Sequence, residues 1–147
     1  MEHINTDSLA RFNQLYKKMD EIYHLYAKQM GISDTAFWLL YSLYESDEVF
    51  TQRELCSSWS FPPQTINSAL KSMERQGIIT LLPLPNNQKN KQILLTEEGT
   101  KLTKKIIAPL VRAERQTFEG MTQTERESLL SLIQKYAELL QHEISHI

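Results

Sequence analysis

The sequence predicts a mainly α-helical fold with one small β-hairpin, and three observations support this class. Apolar residues recur at steps of three and four over most of the 147-residue chain, as they do in amphipathic helices. Helix-capping residues and glycines divide this pattern into separate segments. One apolar run with strand character, residues 78–84, lies between two helical segments and is followed by a polar turn and a second strand segment, residues 92–95.

The first of two short helices in the middle of the chain begins after Thr51. Its side chain can cap the helix, and Glu54 three residues later completes a capping box. Leu55, Cys56 and Trp59 give this helix one apolar face. Cys56 has two interpretations, a redox sensor or a buried filler, and its context favours the filler because no evident cationic neighbour would lower its pKa.

The second short helix follows a tight break and begins at Pro62 and Pro63. Proline is tolerated in a first turn because the N–H that it lacks has no helical partner there. Gly77 ends the helix, since glycine enters the left-handed region at low cost. The residues expected to face the core recur at helical spacing and are Ile66, Ala69, Leu70 and Met73.

The opposite face of the second short helix carries polar side chains suited to nucleic acid. Amides, hydroxyls and an ammonium group are the groups that hydrogen-bond base edges and phosphates. The predicted contacts on this helix are Gln64, Thr65, Asn67, Ser68 and Lys71. A merely solvated helix face is the alternative interpretation of the same residues.

A hairpin is predicted directly after the second short helix. The strand of residues 78–84 leads into a polar tip, residues 85–91, and the return strand is residues 92–95. A hairpin after a helix-turn-helix is the wing of a winged-helix domain, and a helix presented in this way fits the major groove of DNA. Within the tip, Asn87, Lys89 and Lys91 are the predicted DNA contacts.

The distribution of charge supports a nucleic-acid partner although the net charge is −2. Residues 51–105 contain eight lysines and arginines and four acidic residues, a net charge of +4. The rest of the chain contains eight basic and fourteen acidic residues, a net charge of −6. Positive charge is therefore concentrated on the predicted DNA-binding segment.

The remaining segments predict long helices on both sides of a winged-helix lobe. The first helix is expected over residues 7–30, with an apolar stripe composed of Leu9, Phe12, Tyr16, Met19, Tyr23, Tyr26 and Met30. Ser33 caps a second helix, Thr96 caps the helix after the wing, and Thr122 with Glu125 caps the last helix. Pro109 is expected to kink or divide the helix that contains it.

These segments predict one domain of residues 1–147, in which residues 33–95 form the DNA-binding lobe. Residues 1–30 and 97–147 are predicted dimerisation helices. The stripe expected on the last helix consists of Leu129, Leu132, Ile133, Tyr136, Leu139, Leu140 and Ile144. Two subunits paired through such stripes would bury them and hold two reading helices at a fixed separation, as a two-fold DNA site requires.

Composition narrows the class of protein further. No stretch approaches the roughly 20 apolar residues of a membrane span, and the N-terminal segment lacks the pattern of a signal peptide. A single cysteine excludes an internal disulfide and is typical of a cytoplasmic protein. We expect no membrane association, no metal, no cofactor and no enzymatic activity.

The chain resembles the MarR family of bacterial transcription regulators along essentially its whole length. The resemblance is carried by residues 66–79 (INSALKSMERQGII), the wing, and residues 95–99 (LTEEG), together with the order of the flanking helices. It implies a homodimer on a pseudo-palindromic double-stranded DNA operator, with the wing approaching the minor groove. It also implies a repressor, and in many members release of DNA by a small ligand.

Two positions depart from the family pattern. The family's wing usually carries an Asp-x-Arg triplet, where this sequence has Asn87 and Lys89. Lysine keeps the charge of arginine but not its planar fork. Leu81 stands where many members carry an arginine. These departures favour weaker DNA binding or the alternative function, a winged-helix protein-interaction module that does not bind specific DNA.

Two further hypotheses concern small molecules and metal. Trp38, Tyr41 and Tyr23 are candidates for a pocket that binds a small aromatic effector, and the alternative is that these rings belong to the core or an interface. His142 and His146 match the H-E-x-x-H pattern of zinc proteases, but no third ligand follows them. The alternative is a polar helix end at which histidines meet the negative end of the helix dipole.

Overall fold

The computed structural model describes residues 6–45, 50–59 and 61–147 of the chain. A mainly α-helical fold with an antiparallel hairpin is confirmed. In chain order the elements are α1 (Thr6–Gln29), α2 (Asp34–Glu45), β1 (Phe50–Thr51), α3 (Gln52–Trp59), α4 (Pro63–Arg75), β2 (Ile79–Leu84), β3 (Asn87–Leu95), α5 (Glu97–Glu119) and α6 (Gln123–Ile144). The chain divides into two compact units, Met1–Ile107 and Ala108–Ile147.

The helix boundaries are those that the capping residues predicted. The Ser33 hydroxyl accepts a hydrogen bond from the backbone N–H of Ala36 at 3.2 Å at the start of α2. Thr51 accepts one from the N–H of Glu54 at 3.3 Å at the start of α3. After α1, Gly31 has a φ of 78°, in the left-handed region that glycine tolerates at low cost.

The core of the first unit joins helices α2 to α5 to the sheet. Its buried apolar side chains include Phe37, Leu39, Leu40, Leu55, Ile66, Leu70, Met73, Ile79, Ile93, Ile106 and Ile107. The inward face predicted for α4 is therefore confirmed for Ile66, Leu70 and Met73, while Ala69 is half-buried. On α3, Cys56 is half-buried rather than buried, and the side chain of Trp59 lies outside the described residues.

The sheet is larger than the predicted hairpin because a third strand joins it. Its strand order is β1-β3-β2, and β1 pairs with β3 through Phe50 opposite Ile93 and Thr51 opposite Gln92. The sequence did not indicate β1, since two residues are too few to show strand periodicity. The sheet therefore anchors the chain immediately before α3.

The predicted boundary of the wing tip was wrong. The turn consists of residues 85 and 86 alone, and β3 begins at Asn87, five residues before the predicted start of the return strand. The polarity of residues 87–91 suggested a loop, but backbone pairing does not depend on apolar side chains. Asn87 and the two lysines after it therefore lie on a strand and not in an open tip.

The helix after the wing runs through Pro109, so of the two predicted outcomes, a kink or a division, the proline does not divide it. A proline removes one backbone hydrogen bond, normally to the carbonyl four residues earlier. That carbonyl belongs to Lys105, an exposed residue on the helix surface. Water can satisfy an exposed carbonyl, which makes the loss tolerable.

Helices α1 and α6 expose large apolar side chains. On α1 these are Leu9, Phe12, Leu15, Tyr16, Met19, Ile22 and Leu25. On α6 they are Leu130, Leu132, Ile133, Tyr136, Leu139, Leu140 and Ile144, and no residue of α6 is buried. Among the residues that the structure describes, no helix combines the length and apolarity that crossing a bilayer requires.

Candidate nucleic-acid interface

The polar face of α4 is exposed over its full length. Gln64, Thr65, Asn67, Ser68 and Lys71 are all exposed, as predicted, and lie opposite the buried apolar face of the same helix. Steps of three and four residues place side chains above one another on one helix face. The helix therefore presents a continuous row of amide, hydroxyl and ammonium groups to solvent.

The start of α4 is fixed by its two prolines. Pro62 is the N-cap residue, with φ −57° and ψ 138°, and its carbonyl accepts hydrogen bonds from Thr65 at 3.0 Å and Ile66 at 3.2 Å. Pro63 occupies the first helical turn. Because proline fixes φ near its helical value, this pair defines where the exposed polar row begins.

The end of α4 is tied to α5 by the sequence Leu-Thr-Glu-Glu-Gly. Gly77 has a φ of 74°, and its carbonyl accepts a hydrogen bond from the hydroxyl of Thr96. The same hydroxyl accepts one from the N–H of Gly99 at 3.0 Å, which caps α5. A β-carbon at Gly99 would collide with the carbonyl oxygen of Ile78, so this close approach requires glycine. The contact holds the end of α4 against the start of α5.

The wing carries an irregularity at its lysines. The pairing of β2 with β3 is regular from Ile79 opposite Leu95 to Pro83 opposite Lys91, but the next pair is Leu84 opposite Asn87. Residues 88–90 therefore form a bulge. The side chain of Asn87 accepts a hydrogen bond from the backbone N–H of Lys89 at 3.2 Å and so shapes this bulge locally.

A groove of about 420 Å³ lies between α4 and the wing. It is lined by Gln52, Pro63, Gln64, Asn67, Lys71, Lys89 and Lys91. Five of the predicted contact residues thus come together around one space, although they are up to 27 positions apart in the sequence. Thr65, Ser68 and Asn87 do not line it.

The electrostatic character of the groove is uniform. Its lining contains the ammonium groups of Lys71, Lys89 and Lys91, and none of its lining residues is acidic. The other lining side chains are amides and a proline. A surface of this kind attracts a polyanion through the lysines and offers hydrogen-bond donors and acceptors through the amides.

Gln52 is a lining residue that the sequence analysis missed. It is the first residue of α3, and its side-chain amide donates a hydrogen bond to Oδ1 of Asn67 at 3.4 Å. The NH₂ group of Asn67 takes no part in this hydrogen bond and can donate to another acceptor. Only the position of Gln52 after the Thr51 cap could have suggested its role, and that signal is not specific.

The candidate effector residues form part of an aromatic cluster between α1 and α2. The ring of Trp38 lies 5.2 Å from Tyr23 and 5.6 Å from Tyr41 between centroids, and all three residues are half-buried. Phe37 contacts Trp38 edge-on at 4.9 Å. The hydroxyl of Tyr26, beside this cluster, donates a hydrogen bond to the carbonyl of Ile106 at 2.5 Å.

The two C-terminal histidines lie at the exposed end of α6. His142 is on the helix, but Ser145 is its C-cap, so His146 lies beyond the last helical residue. Their rings are 4.5 Å apart, and Nδ1 of His146 lies 2.7 Å from the carbonyl oxygen of His142. The described residues contain no group of three or more histidine, cysteine or acidic side chains that could hold a metal ion.

Comparisons with known proteins bear on the class of this one. Residues 30–89 match the model of the MarR family. An uncharacterized HTH-type transcriptional regulator, YybA from Bacillus subtilis (strain 168), is 24% identical over 146 residues, which span 96% of this chain and 93% of YybA.

Solved structures give the same result at the level of the fold. NMB1585, a MarR family regulator from Neisseria meningitidis, has a TM-score of 0.79 at 19% identity and covers 95% of this chain and 97% of its own. MepR from S. aureus, in its DNA-binding conformation, has a TM-score of 0.74 at 20% identity. The match covers 93% of this chain and 99% of the MepR chain.

The helix pair, the hairpin after it and the basic groove between them define a winged helix-turn-helix protein. Residues 30–89 match the MarR family model, and the fold of the chain is similar to that of a solved MarR family regulator.

Proposed function

We propose that this protein binds specific double-stranded DNA through the groove between α4 and the wing. The observation that carries the proposal is that Gln64, Asn67 and Lys71 of α4 and Lys89 and Lys91 of the wing surround one space free of acidic side chains. Helix α4 enters the major groove, where its amides read base edges. The wing lysines contact phosphates, whose attraction is strong but independent of sequence.

The proposed active form is a homodimer on a pseudo-palindromic operator. The support is the exposure of apolar faces on α1 and α6: Leu132 is 63% exposed and Ile133 52% exposed in the single chain. A protein rarely leaves such faces in water, and a two-fold interface covers the same patch on both subunits. A dimer also holds two α4 helices at the spacing of two half-sites.

The proposed regulatory outcome is repression in the cytoplasm, with release of the DNA by a small aromatic effector. Repression by such a dimer is steric, because an occupied operator blocks the polymerase. Tyr23, Trp38 and Tyr41 are the proposed effector contacts, since their half-buried rings offer both apolar faces and polar tips. MepR and NMB1585 support the fold in which this would occur, not the identity of an effector.

The first experiment is to find the DNA and then separate the two kinds of contact. Genome-wide DNA capture followed by footprinting identifies the operator. Titrations with operator and random DNA then compare Lys89→Ala and Asn67→Ala with the parent. Lys89→Ala is expected to weaken binding to both DNAs alike and to reduce the slope of log K against log salt by about 0.9 per lost phosphate contact.

Asn67→Ala is expected to act on specificity. The change removes an amide that hydrogen-bonds a base edge, so we expect about a tenfold loss of discrimination between operator and random DNA. Random-sequence binding and its salt dependence should stay the same. If both variants bound both DNAs like the parent, the assignment of roles to the groove would be wrong.

A protein-interaction module is the second candidate, and one observation favours it. Lys89 and Leu81 stand where the family usually carries arginines, and the backbone N–H of Leu81 donates to the carboxylate of Glu74 at 3.3 Å. The carboxylate of Glu74 thus lies beside Leu81, the position at which many family members carry an arginine. If the protein gave no salt-dependent gel shift with the DNA upstream of its gene, this would support the interaction module and reject DNA binding.

A further inference from the structure

Asn90 lies between the two wing lysines of the groove and faces away from them. Lys89 and Lys91 both line the groove, whereas Asn90 is half-buried and does not. The side chain of Asn90 instead reaches α3, outside the groove that the two lysines line. Asn90 can therefore hold the wing without occupying the groove.

The side chain of Asn90 makes a specific contact with the helix-turn-helix. Its Oδ1 accepts a hydrogen bond from the backbone N–H of Arg53 at 3.2 Å. Arg53 is the second residue of α3, and a first-turn N–H has no partner inside its own helix. Asn90 thus supplies, from the wing, an acceptor that α3 lacks.

This contact continues the pairing between β1 and β3 beyond the point where the backbone ladder stops. Thr51 is opposite Gln92, and α3 begins at the next residue, Gln52, so its backbone leaves the sheet. At the same position β3 enters the bulge of residues 88–90. The regular ladder is interrupted there, and the side chain of Asn90 joins the bulge to α3.

We propose that Asn90 is a positioning residue for DNA binding. It ties the bulge to the start of α3 and thereby fixes the distance of Lys89 and Lys91 from the polar face of α4. The inference rests on the proposed function of the groove. Asn90 itself touches no DNA, and it acts only through the two lysines beside it.

The central test compares Asn90→Ala with the parent, using the footprinted operator and random DNA. Loss of the acceptor frees the bulge, so both DNAs should be bound about threefold to tenfold more weakly. The salt slope should fall, because lysines that sample more positions neutralise fewer phosphates on average. Asn90→Asp keeps the acceptor and should therefore keep the parental hydrogen-exchange rate of the Arg53 amide. Asn86→Ala, in the adjacent turn, is the matched control and should bind like the parent.

A double-variant cycle separates positioning from general damage to the fold. In a Lys89→Ala, Lys91→Ala background, Asn90→Ala should have no further effect on DNA affinity, since the groups through which it acts are absent. An equal loss in both backgrounds would overturn the proposal. So would parental DNA affinity and salt slope in Asn90→Ala.

Hydrogen exchange tests the contact without DNA. Asn90→Ala should accelerate exchange of the Arg53 amide selectively, while buried amides of α4 such as Ile66 keep the parental rate. Unchanged exchange at Arg53 would reject the role of Asn90 alone. Failure of the parent to bind any captured DNA would reject the proposed function, and with it the positioning role.

Discussion

Two small residues after the wing, Thr96 and Gly99, determine how the end of α4 meets α5. The Thr96 hydroxyl reaches the carbonyls of Gly77 and Ile78 and also accepts from the N–H of Gly99. One hydroxyl therefore makes hydrogen bonds with backbone carbonyls after the end of α4 and with a backbone N–H at the start of α5. This explains in physical terms why a Leu-Thr-x-x-Gly sequence follows the wing.

Gly99→Ala is expected to destabilise the protein by about 2 kcal/mol or more, since the new β-carbon would collide with the backbone oxygen of Ile78 and force the backbone to move. Thermal or urea unfolding measures the change. Gly120→Ala is the control, because a β-carbon there would meet backbone oxygens no closer than 3.4 Å. Equal stability of Gly99→Ala and the parent would contradict the packing described for this contact.

The side chains of the groove were predictable in different degrees. Gln64, Asn67 and Lys71 follow from helical spacing once Ile66 and Leu70 are assigned to the core. Gln52 was not predictable, because its place in the groove depends on the angle between α3 and α4, which no local pattern encodes.

The capping box of α6 makes the start of this helix sensitive to pH. The carboxylate of Glu125 accepts from the backbone N–H of Thr122 at 2.9 Å, and the Thr122 hydroxyl accepts from the N–H of Glu125 at 3.1 Å. The hydrogen bond from the Thr122 backbone, and after it a hydrogen bond that the Thr122 hydroxyl gives to the Glu125 carboxylate, lower the pKa of Glu125 below its ordinary value of 4.5.

A lowered pKa gives the direction of the pH dependence. The unfolded state binds more protons between the folded and unfolded pKa values, so stability from this cap is fully present above about pH 4.5 and is lost as pH falls through the folded pKa. An NMR titration of the Glu125 carboxyl group should show the lowered pKa, and Thr122→Ala should raise it. A pKa unchanged by Thr122→Ala would contradict the side-chain part of this account.

The wing shows where prediction from sequence stops at the level of strands. The apolar residues of β2 were correctly assigned, since residues 79–84 show strand character. The start of β3 was missed because Asn87–Lys91 is polar throughout, and the bulge of residues 88–90 depends on pairing across the hairpin. Register is set by both strands together, so neither strand alone predicts it.

The assembly of the whole protein depends on the apolar faces of α1 and α6. If these faces form the proposed homodimer interface, a charge placed on one of them should separate the subunits. We predict that Ile133→Glu yields monomers in sedimentation experiments at concentrations where the parent is dimeric, because the proposed interface would bury two unpaired carboxylates.

Ser131→Glu is the matched control for this prediction. Residue 131 is exposed and lies on the side of α6 opposite the apolar stripe, so the same charge there should leave the dimer intact. A parent that sediments as a monomer at all concentrations would reject the proposed dimer. If both variants dissociated the dimer, a charge anywhere on α6 would have this effect, and the apolar stripe would not be identified as the interface.

The claim that DNA binds between α4 and the wing is tested most directly by NMR titration of the protein with its footprinted operator. The account predicts simultaneous shifts at Asn67 and Lys71 of α4 and at Lys89 and Lys91 of β3, which diminish together as salt is raised. Shifts confined to α6, or none at the groove under conditions in which the operator is bound, would contradict it.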